Sequence, residues 1–378
     1  MIKELAHACG FPLCSITRPM INARNRQALL DWIAAGHFAD MAWMTETVRL
    51  ERRLHPGSML DAVESVIVLG MPYQVSDGLP RSGSPAQGMI AAYAQGDDYH
   101  DVMKKKLRAF CRSLQSHADH GTPDQRIYVD TAPVLEHALA EAGGLGWLGK
   151  HSLSIDRQYG SWFMLGEVFT TAILPVDSPV SAHCGTCTAC INQCPTAAIV
   201  APMTVDARRC ISWLTIEFKG FIPEDLRPLM GLHIYGCDDC QSCCPWNDHA
   251  CIADRYFLET REENILPTLA SLLCLDDTGF RQRFKKSPIK RTGREAFVRN
   301  VCIAAGNTHD NQLYAPLRLL LTDDSAIVRA HAAWALVRVA NHGQQTELLA
   351  CLQQALALEA QPQVRGELLS AYKYRSFS

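Results

Sequence analysis

Apolar and polar positions recur with different periods along this chain, and the change of period divides it. Leu29, Leu30 and Ile33 fall at helical spacing ahead of Gly36, so residues 1–55 predict mainly helix, ended by His55-Pro56-Gly57. Residues 63–69 (V-E-S-V-I-V-L) are rich in β-branched side chains and predict a strand. The Gly/Pro/Ser-rich stretch 76–88 predicts an exposed loop. A helix is expected over about 98–117, with Tyr99 and His100 at its start. Residues 126–130 (R-I-Y-V-D) predict a second strand that ends on a carboxylate. Thr131 is placed to cap a helix over 134–142, with Pro133 near its first turn. Residues 161–171 are apolar nearly throughout and predict a third, central strand; 175–182 read as a linker.

From Glu295 onward the strand period disappears. Ala/Leu-rich helices are expected over 297–305, 314–321, 326–340 and 347–358, separated by short polar breaks. The segment D-D-S-A-I-V-R-A-H-A-A-W-A-L looks like a HEAT-type repeat in which Asp323 or Asp324 caps and Val328 and Ala332 pack inward. About two such repeats fit, so they form an appended module, of a kind that binds macromolecules more often than it does chemistry. Mixed strand and helix followed by helix alone predicts an α+β chain.

Length and composition narrow the class. The 378 residues suffice for two or three domains, and 20% charged with 48% hydrophobic residues is ordinary for a soluble globular protein. No apolar run approaches a membrane span, so no membrane partner is expected. The net charge of −3 gives no bulk attraction to a polyanion, so such a partner would need a local basic patch. Residues 281–299 supply one: Arg281, Arg283, Lys285, Lys286, Lys290, Arg291, Arg294 and Arg299 stand against the single acid Glu295. A solvated helix face usually mixes signs; this run suits a phosphate backbone.

Sixteen cysteines change the picture most. Residues 184–195 read C-G-T-C-T-A-C-I-N-Q-C-P, and 237–245 read C-D-D-C-Q-S-C-C-P. The spacing C-x2-C-x2-C-x3-C-P is the ferredoxin signature, in which three thiolates wrap one cluster and the fourth reaches the neighbouring one. Applied here, Cys184, Cys187 and Cys190 take Cys244 as fourth ligand, and Cys194 joins Cys237 and Cys240. Cys210, between the runs, completes the second set better than Cys243, which adjoins Cys244. Three cysteines plus C-P in one run is poor zinc geometry. Disulfides would need an oxidising compartment, and the N-terminal residues show no export signal, so a reducing, cytoplasmic setting is expected. Cys9, Cys14, Cys111, Cys251, Cys274, Cys302 and Cys351 are scattered and expected to be small buried apolar residues.

Other candidates are weaker. Asp130, at a strand end before a helix, sits where α/β folds place chemistry, although position alone favours a capping role. The glycine-rich stretch 143–155 (G-G-L-G-W-L-G-K-H-S-L-S-I) lets backbone approach something closely but is neither a P-loop nor a dinucleotide fingerprint. Arg49, Arg52 and Arg53 form a solvated face or meet polar groups of a large cofactor.

Several of these segments together resemble the epoxyqueuosine reductases. They are 128–140 (Y-V-D-T-A-P-V-L-E-H-A-L-A), 144–153 (G-L-G-W-L-G-K-H-S-L), both cysteine runs, 208–217 (R-R-C-I-S-W-L-T-I-E), 235–247 (Y-G-C-D-D-C-Q-S-C-C-P-W-N) and 287–291 (S-P-I-K-R). The resemblance implies cobalamin, two 4Fe–4S clusters, and reduction of epoxyqueuosine to queuosine at the tRNA wobble position, the last step of queuosine biosynthesis. It implies a cobalamin-binding α/β domain similar to that of reductive dehalogenases (1–175), a ferredoxin-like two-cluster domain (176–260) and a HEAT-like tRNA-binding tail (261–378). The family's acid aspartate falls on Asp130, whose pKa desolvation beside the macrocycle would raise. Arg53, Tyr93, Asp130, His151 and Ser154 are the corrin contacts expected from their closeness to matched motifs. Cobalamin is expected base-off without a protein histidine, since no D-x-H-x-x-G run is present. Lys285, Lys286, Lys290, Arg291 and Arg294 would hold the anticodon stem-loop. A monomer served by a low-potential electron donor completes the expectation. The rivals are a corrinoid reductive dehalogenase acting on a small molecule and a ferredoxin-type electron-transfer or scaffold protein.

Overall fold

The computed structural model describes residues 1–73, 86–116, 123–250 and 260–376. Its strands, in chain order, are β1 (Leu13–Thr17), β2 (Ser65–Pro72), β3 (Met89–Ile90), β4 (Gln125–Tyr128), β5 (Trp147–Leu148), β6 (Ser154–Ile155), β7 (Phe163–Thr170), β8 (Ile199–Ala201), β9 (Thr204–Val205) and β10 (His233–Tyr235). The chain divides into two compact units. The first comprises Met1–Asp77, Asp97–Arg208 and Asp238–Glu259; the second comprises Gly78–Gly96, Arg209–Cys237 and Thr260–Ser378.

The first unit is built on a four-stranded sheet of order β1-β2-β7-β4, antiparallel throughout. β7 is central, as its apolar run predicts, and pairs Ser65 with Thr170 on one side and Tyr128 with Glu167 on the other. Every residue of β2 is buried, because helices cover both faces and leave no wet side to impose alternation. One cover is the helix Tyr99–Gln115, which buries Met103, Leu107 and Phe110. Gly166 admits it: a Cβ there would lie 3.0 Å from Met103 and 3.2 Å from Leu107. On the other face Leu139 and Ala140 of the helix Glu136–Ala142 pack with Val66, Val68, Leu165 and Phe169.

Three expectations need correcting here. Residues 1–55 are not helix alone: Ile2–Ala8, Ala23–Ala34 and Thr47–Leu54 are helical, but β1 lies among them. Its small, polar Cys14 and Ser15 mask a strand whose burial comes from tertiary packing. Thr131 does not cap the following helix. That helix begins at Glu136 behind Leu135 without a side-chain cap, and the Thr131 hydroxyl donates to Val129 O at 3.4 Å. The strand before Asp130 stops at Tyr128, in an antiparallel sheet, so the rule for carboxyl ends of parallel strands does not explain this aspartate. Of the loop expected over 76–88, residues 76–85 lie outside the described residues, as do residue 117 of the expected helix and Cys251.

The second unit is mainly helical. Arg294–Thr308, Tyr314–Leu319, Ala326–Val339, Gln345–Leu358 and Pro362–Ser376 are its tail helices, and β3 pairs parallel with β10. Ala326–Val339 is buried all round, with Val328 and Ala332 fully so as expected. Small residues allow the close approach: a Cβ on Gly306 would come within 2.5 Å of Trp334. Among the described residues no helix is long and apolar enough to cross a membrane.

Candidate functional site

The first cysteine run folds as its spacing requires. Cys187 N–H donates to Cys184 O at 3.0 Å, closing a turn, and Cys190 lies in the short helix Ala189–Gln193 that ends at Cys194 before Pro195. In the second run the helix Asp239–Ser242 ends at Cys243, and Pro245 opens a 3-10 turn after Cys244. Cys184, Cys187, Cys190 and Cys244 line one cavity of about 410 Å³. Trp147, Ile155 and Trp246 pack with Cys184 and Cys244 around it. Burial pushes the Cys190 and Cys244 thiols above their ordinary range, so a cation is needed to draw off their protons. Among the described residues no carboxylate lines this cavity. Four sulfurs in an apolar chamber form the donor set of an iron–sulfur cluster.

The remaining cysteines differ. Ala198 N–H donates to Cys194 Sγ at 3.2 Å. Cys243 Sγ donates to Cys240 O at 3.6 Å, and burial, then the neighbouring Cys190, pushes its thiol up to about 11. Cys194 and Cys240 belong to the first unit, Cys210 and Cys237 to the second. Cys302 is buried as expected, Cys9, Cys14, Cys111 and Cys351 are half-buried, and Cys274 is exposed, against expectation.

Asp130 is held in the left-handed region, φ 53°, a conformation that costs free energy for any residue with a Cβ and is commonest for Asp and Asn. Tyr99 OH donates to its Oδ2 at 2.9 Å, and His100 Nε2 lies 3.0 Å from the same oxygen. His100 is itself buried, with Nδ1 2.7 Å from Asp98 Oδ1. Burial pulls the imidazole pKa down, but the hydrogen bonds and charges of Asp130 and Asp98 outweigh it, so the net shift is upward. The Asp130 side chain is 56% exposed, whereas that of His100 is only 6% exposed. The result is an accessible carboxylate backed by a buried imidazole whose pKa is raised.

A second carboxylate pair lies beneath. Asp130 N–H donates to Glu136 Oε1 at 2.6 Å, which fixes the turn. Burial first, then the charge of Asp130, pushes Glu136 up to about 8. Glu167, on β7, is fully buried; burial, then Glu136, raises its pKa well above the carboxylate range. Burial and the nearby carboxylate charges both favour the neutral form of Glu167. Nearby, burial drops His137 to about 4, and its Nδ1 lies 2.8 Å from Ser154 Oγ.

The expected corrin contacts are distributed as follows. Arg53 is buried, with its guanidinium 5.1 Å over Trp43 and Nη1 donating to Arg49 O at 3.3 Å. Burial, then Arg49, lowers it to about 10, still charged at neutral pH. Ser154 is buried with its hydroxyl against His137, and His151 lines the cysteine cavity. Tyr93 belongs to the second unit, where its ring lies 6.3 Å from Tyr235. The Asp98–His100–Tyr99 support and the Glu136–Glu167 pair carried no role in the sequence. Their one local signal is D-D-Y-H at a helix start.

The basic segment splits. Lys285, Lys286, Lys290 and Arg291 are exposed. Arg294 closes on Asp323 with two bonds, 2.8 and 2.5 Å. Arg299 is fully buried and donates to the carbonyls of Leu214, Phe218 and Gly220. Arg283 donates to Glu263 O.

Residues 183–247 match the family described as "4Fe-4S double cluster binding domain", and residues 53–131 match "Epoxyqueuosine reductase QueG, DUF1730". The epoxyqueuosine reductase of Xanthomonas campestris pv. campestris is 42% identical over 346 residues, covering 90% of this chain and 95% of that protein. The enzyme of the same name from Escherichia coli K12 is 38% identical over 339 residues, covering 89% and 88%. A crystal structure of epoxyqueuosine reductase with a tRNA-Tyr epoxyqueuosine-modified stem loop superposes with a TM-score of 0.90 at 27% identity, over 99% of this chain and 98% of that one.

Proposed function

This chain belongs to the epoxyqueuosine reductases, and from that premise we propose that it reduces epoxyqueuosine to queuosine in tRNA. Removing the epoxide oxygen takes two electrons and two protons and releases water. The observation that carries this reading is the presence, within one unit, of a four-thiol cavity and an accessible carboxylate on strained backbone backed by tyrosine and histidine.

Cys184, Cys187, Cys190 and Cys244 would hold one 4Fe–4S cluster; Cys194, Cys210, Cys237 and Cys240 would hold the other. A low-potential one-electron donor would feed them, in a monomer working in the reducing cytoplasm. Cobalamin fits the first unit by its donor set. Ser152 Oγ is buried there with no hydrogen-bond partner among the described residues, the kind of atom that the amide-rich rim of a corrin engages. Arg53, Asp130, Ser154 and Tyr93 remain the proposed contacts, while His151 lines the four-cysteine cavity. When bound, cobalamin would supply reducing equivalents to the epoxide carbon.

The chain's own residues handle protons. Asp130 would deliver a proton to the departing oxygen, and its half-exposed carboxylate leaves room for a nucleoside. His100, held between Asp98 and Asp130, would resupply it. Tyr99 would aim the carboxylate. Lys285, Lys286, Lys290 and Arg291 would meet stem-loop phosphates, and the tail helices would act as a HEAT-like platform. Arg294 would support this face through Asp323 rather than bind phosphate itself.

The test is direct. Anaerobically purified protein, loaded with cobalamin and given a low-potential reductant, should convert epoxyqueuosine-containing tRNA to the queuosine form, read by mass spectrometry of its nucleosides. Unconverted tRNA in a preparation holding full iron and corrin would sink the proposal.

A further inference from the structure

The hairpin β5–β6 carries two side chains with no assigned role toward the cysteines. Its tip, 149–153, grips the first cysteine run: Lys150 Nζ donates to Gly185 O and to Cys187 O, each at 2.8 Å. Below it, Trp147 and Ile155 pack against Cys184 and Cys244. The grip sets the next residue, His151, in the wall of the four-cysteine cavity.

His151 is 4% exposed, and its two ring nitrogens are unequal. Leu153 N–H donates to Nδ1 at 3.2 Å, so Nδ1 must present its lone pair. An imidazole that accepts at Nδ1 carries its hydrogen on Nε2. Nε2 is buried and has no partner among the described residues. A buried donor with nothing to donate to is unfavourable unless the chamber it faces supplies an acceptor. The sulfurs of an iron–sulfur cluster are such acceptors.

We propose that His151 Nε2–H donates a hydrogen bond to a sulfur of the cluster held by Cys184, Cys187, Cys190 and Cys244, and so sets that cluster's reduction potential above what the thiolates alone would give. His151 thereby acts on the cluster rather than on the corrin. The reasoning is electrostatic. One electron enters the cluster, the added negative charge falls largely on sulfur, and a donor there stabilises the reduced state. The proton stays on the imidazole throughout. Lys150 is the positioning residue that keeps the ring turned inward.

This inference rests on the two-cluster reading, and the experiment separates the two. Anaerobic protein is titrated electrochemically with the reduced clusters followed by EPR, in parallel with iron analysis. In His151→Leu, one of the two midpoint potentials should move negative by about 59 mV, a roughly tenfold shift against one-electron reduction, while the other stays in place. His151→Gln, whose amide can still donate, should recover part of the shift. Wild-type protein labelled with 15N-histidine gives a second readout that needs no variant: one reduced cluster should show a 15N coupling in pulsed EPR. Full iron with both midpoints unmoved in His151→Leu, or a 15N coupling on cobalt(II) and on neither cluster, overturns the inference. Wild-type protein that cannot hold two clusters overturns the reading beneath it.

Discussion

Buried Arg, His, Asp and Glu side chains are treated differently in the two units. Among the described residues of the second unit they are paired, although Trp213, Asn264, Thr292, Tyr314 and Trp334 each keep a buried polar atom without a hydrogen bond. Arg299, wholly enclosed, donates to three carbonyls and to Asn300 Oδ1; Arg227 closes on Glu367 with bonds of 2.8 and 2.5 Å; Arg329 closes on Glu359 at 2.7 and 3.1 Å. In the first unit they are in conflict. Burial and neighbouring charge raise the carboxyls of Glu136 and Glu167, the exposed Asp130 sits on left-handed backbone, and His151 Nε2 has no protein acceptor among the described residues. Satisfied burial is what a scaffold needs. Conflicted burial survives where surrounding structure enforces it, which is how sites store reactivity.

That contrast can be broken most sharply at Asp130. Asp130→Asn should cut single-turnover conversion by about 10²–10⁴-fold, the usual worth of a positioned acid, with the melting temperature unchanged. A fully active Asn variant would remove the acid from the conflicted side. Arg299→Leu should do the reverse. It leaves several buried acceptors unpaired and should destabilise the chain by about 3–5 kcal/mol in denaturant titration. A loss under about 1 kcal/mol would mean that the second unit's network is not its support.

Reversing the exposed cations is a smaller effect. Lys285→Glu, Lys286→Glu and Arg291→Glu together should weaken tRNA binding across substrates and flatten its logarithmic salt dependence by about 2 to 3. Binding that keeps the wild-type salt slope would place the phosphates elsewhere. Glu136 gives the gentlest test. Its folded pKa, about 8, lies above the ordinary 4.5, so the unfolded state releases its proton first. Its stabilising contribution is therefore full below about 4.5 and lost as pH rises through about 8. Glu136→Gln should flatten stability across that window in thermal melts at stepped pH, whereas an unaltered pH profile would show that folding does not raise the Glu136 pKa.

Much of this was readable from residue order. Cluster ligation depends on spacings of two and three residues, and local spacing survives folding, so the run 184–195 announced its chemistry outright. β2 and β7 followed from their β-branched and apolar runs and the first four tail helices from their Ala/Leu-rich pattern, whereas Pro362–Ser376 was not expected. β1 did not, because its burial is supplied by neighbours. The basic run misled in part. Arg294 finds its acid 29 residues away in Asp323, and Arg299 finds its acceptors about 80 residues away, at Leu214, Phe218 and Gly220. Charge counting along a chain does not see partners at such separations.

Residue order by itself determined that this protein handles electrons through cysteine-bound clusters, because ligand type and spacing are properties of the chain. Only the tertiary structure decided what surrounds the proposed acid, Asp130. Asp98, Tyr99, His100, Asp130, Glu136 and Glu167 come from two helices, a turn and a strand, and their protonation depends on burial and mutual distance, which exist only once the chain has folded.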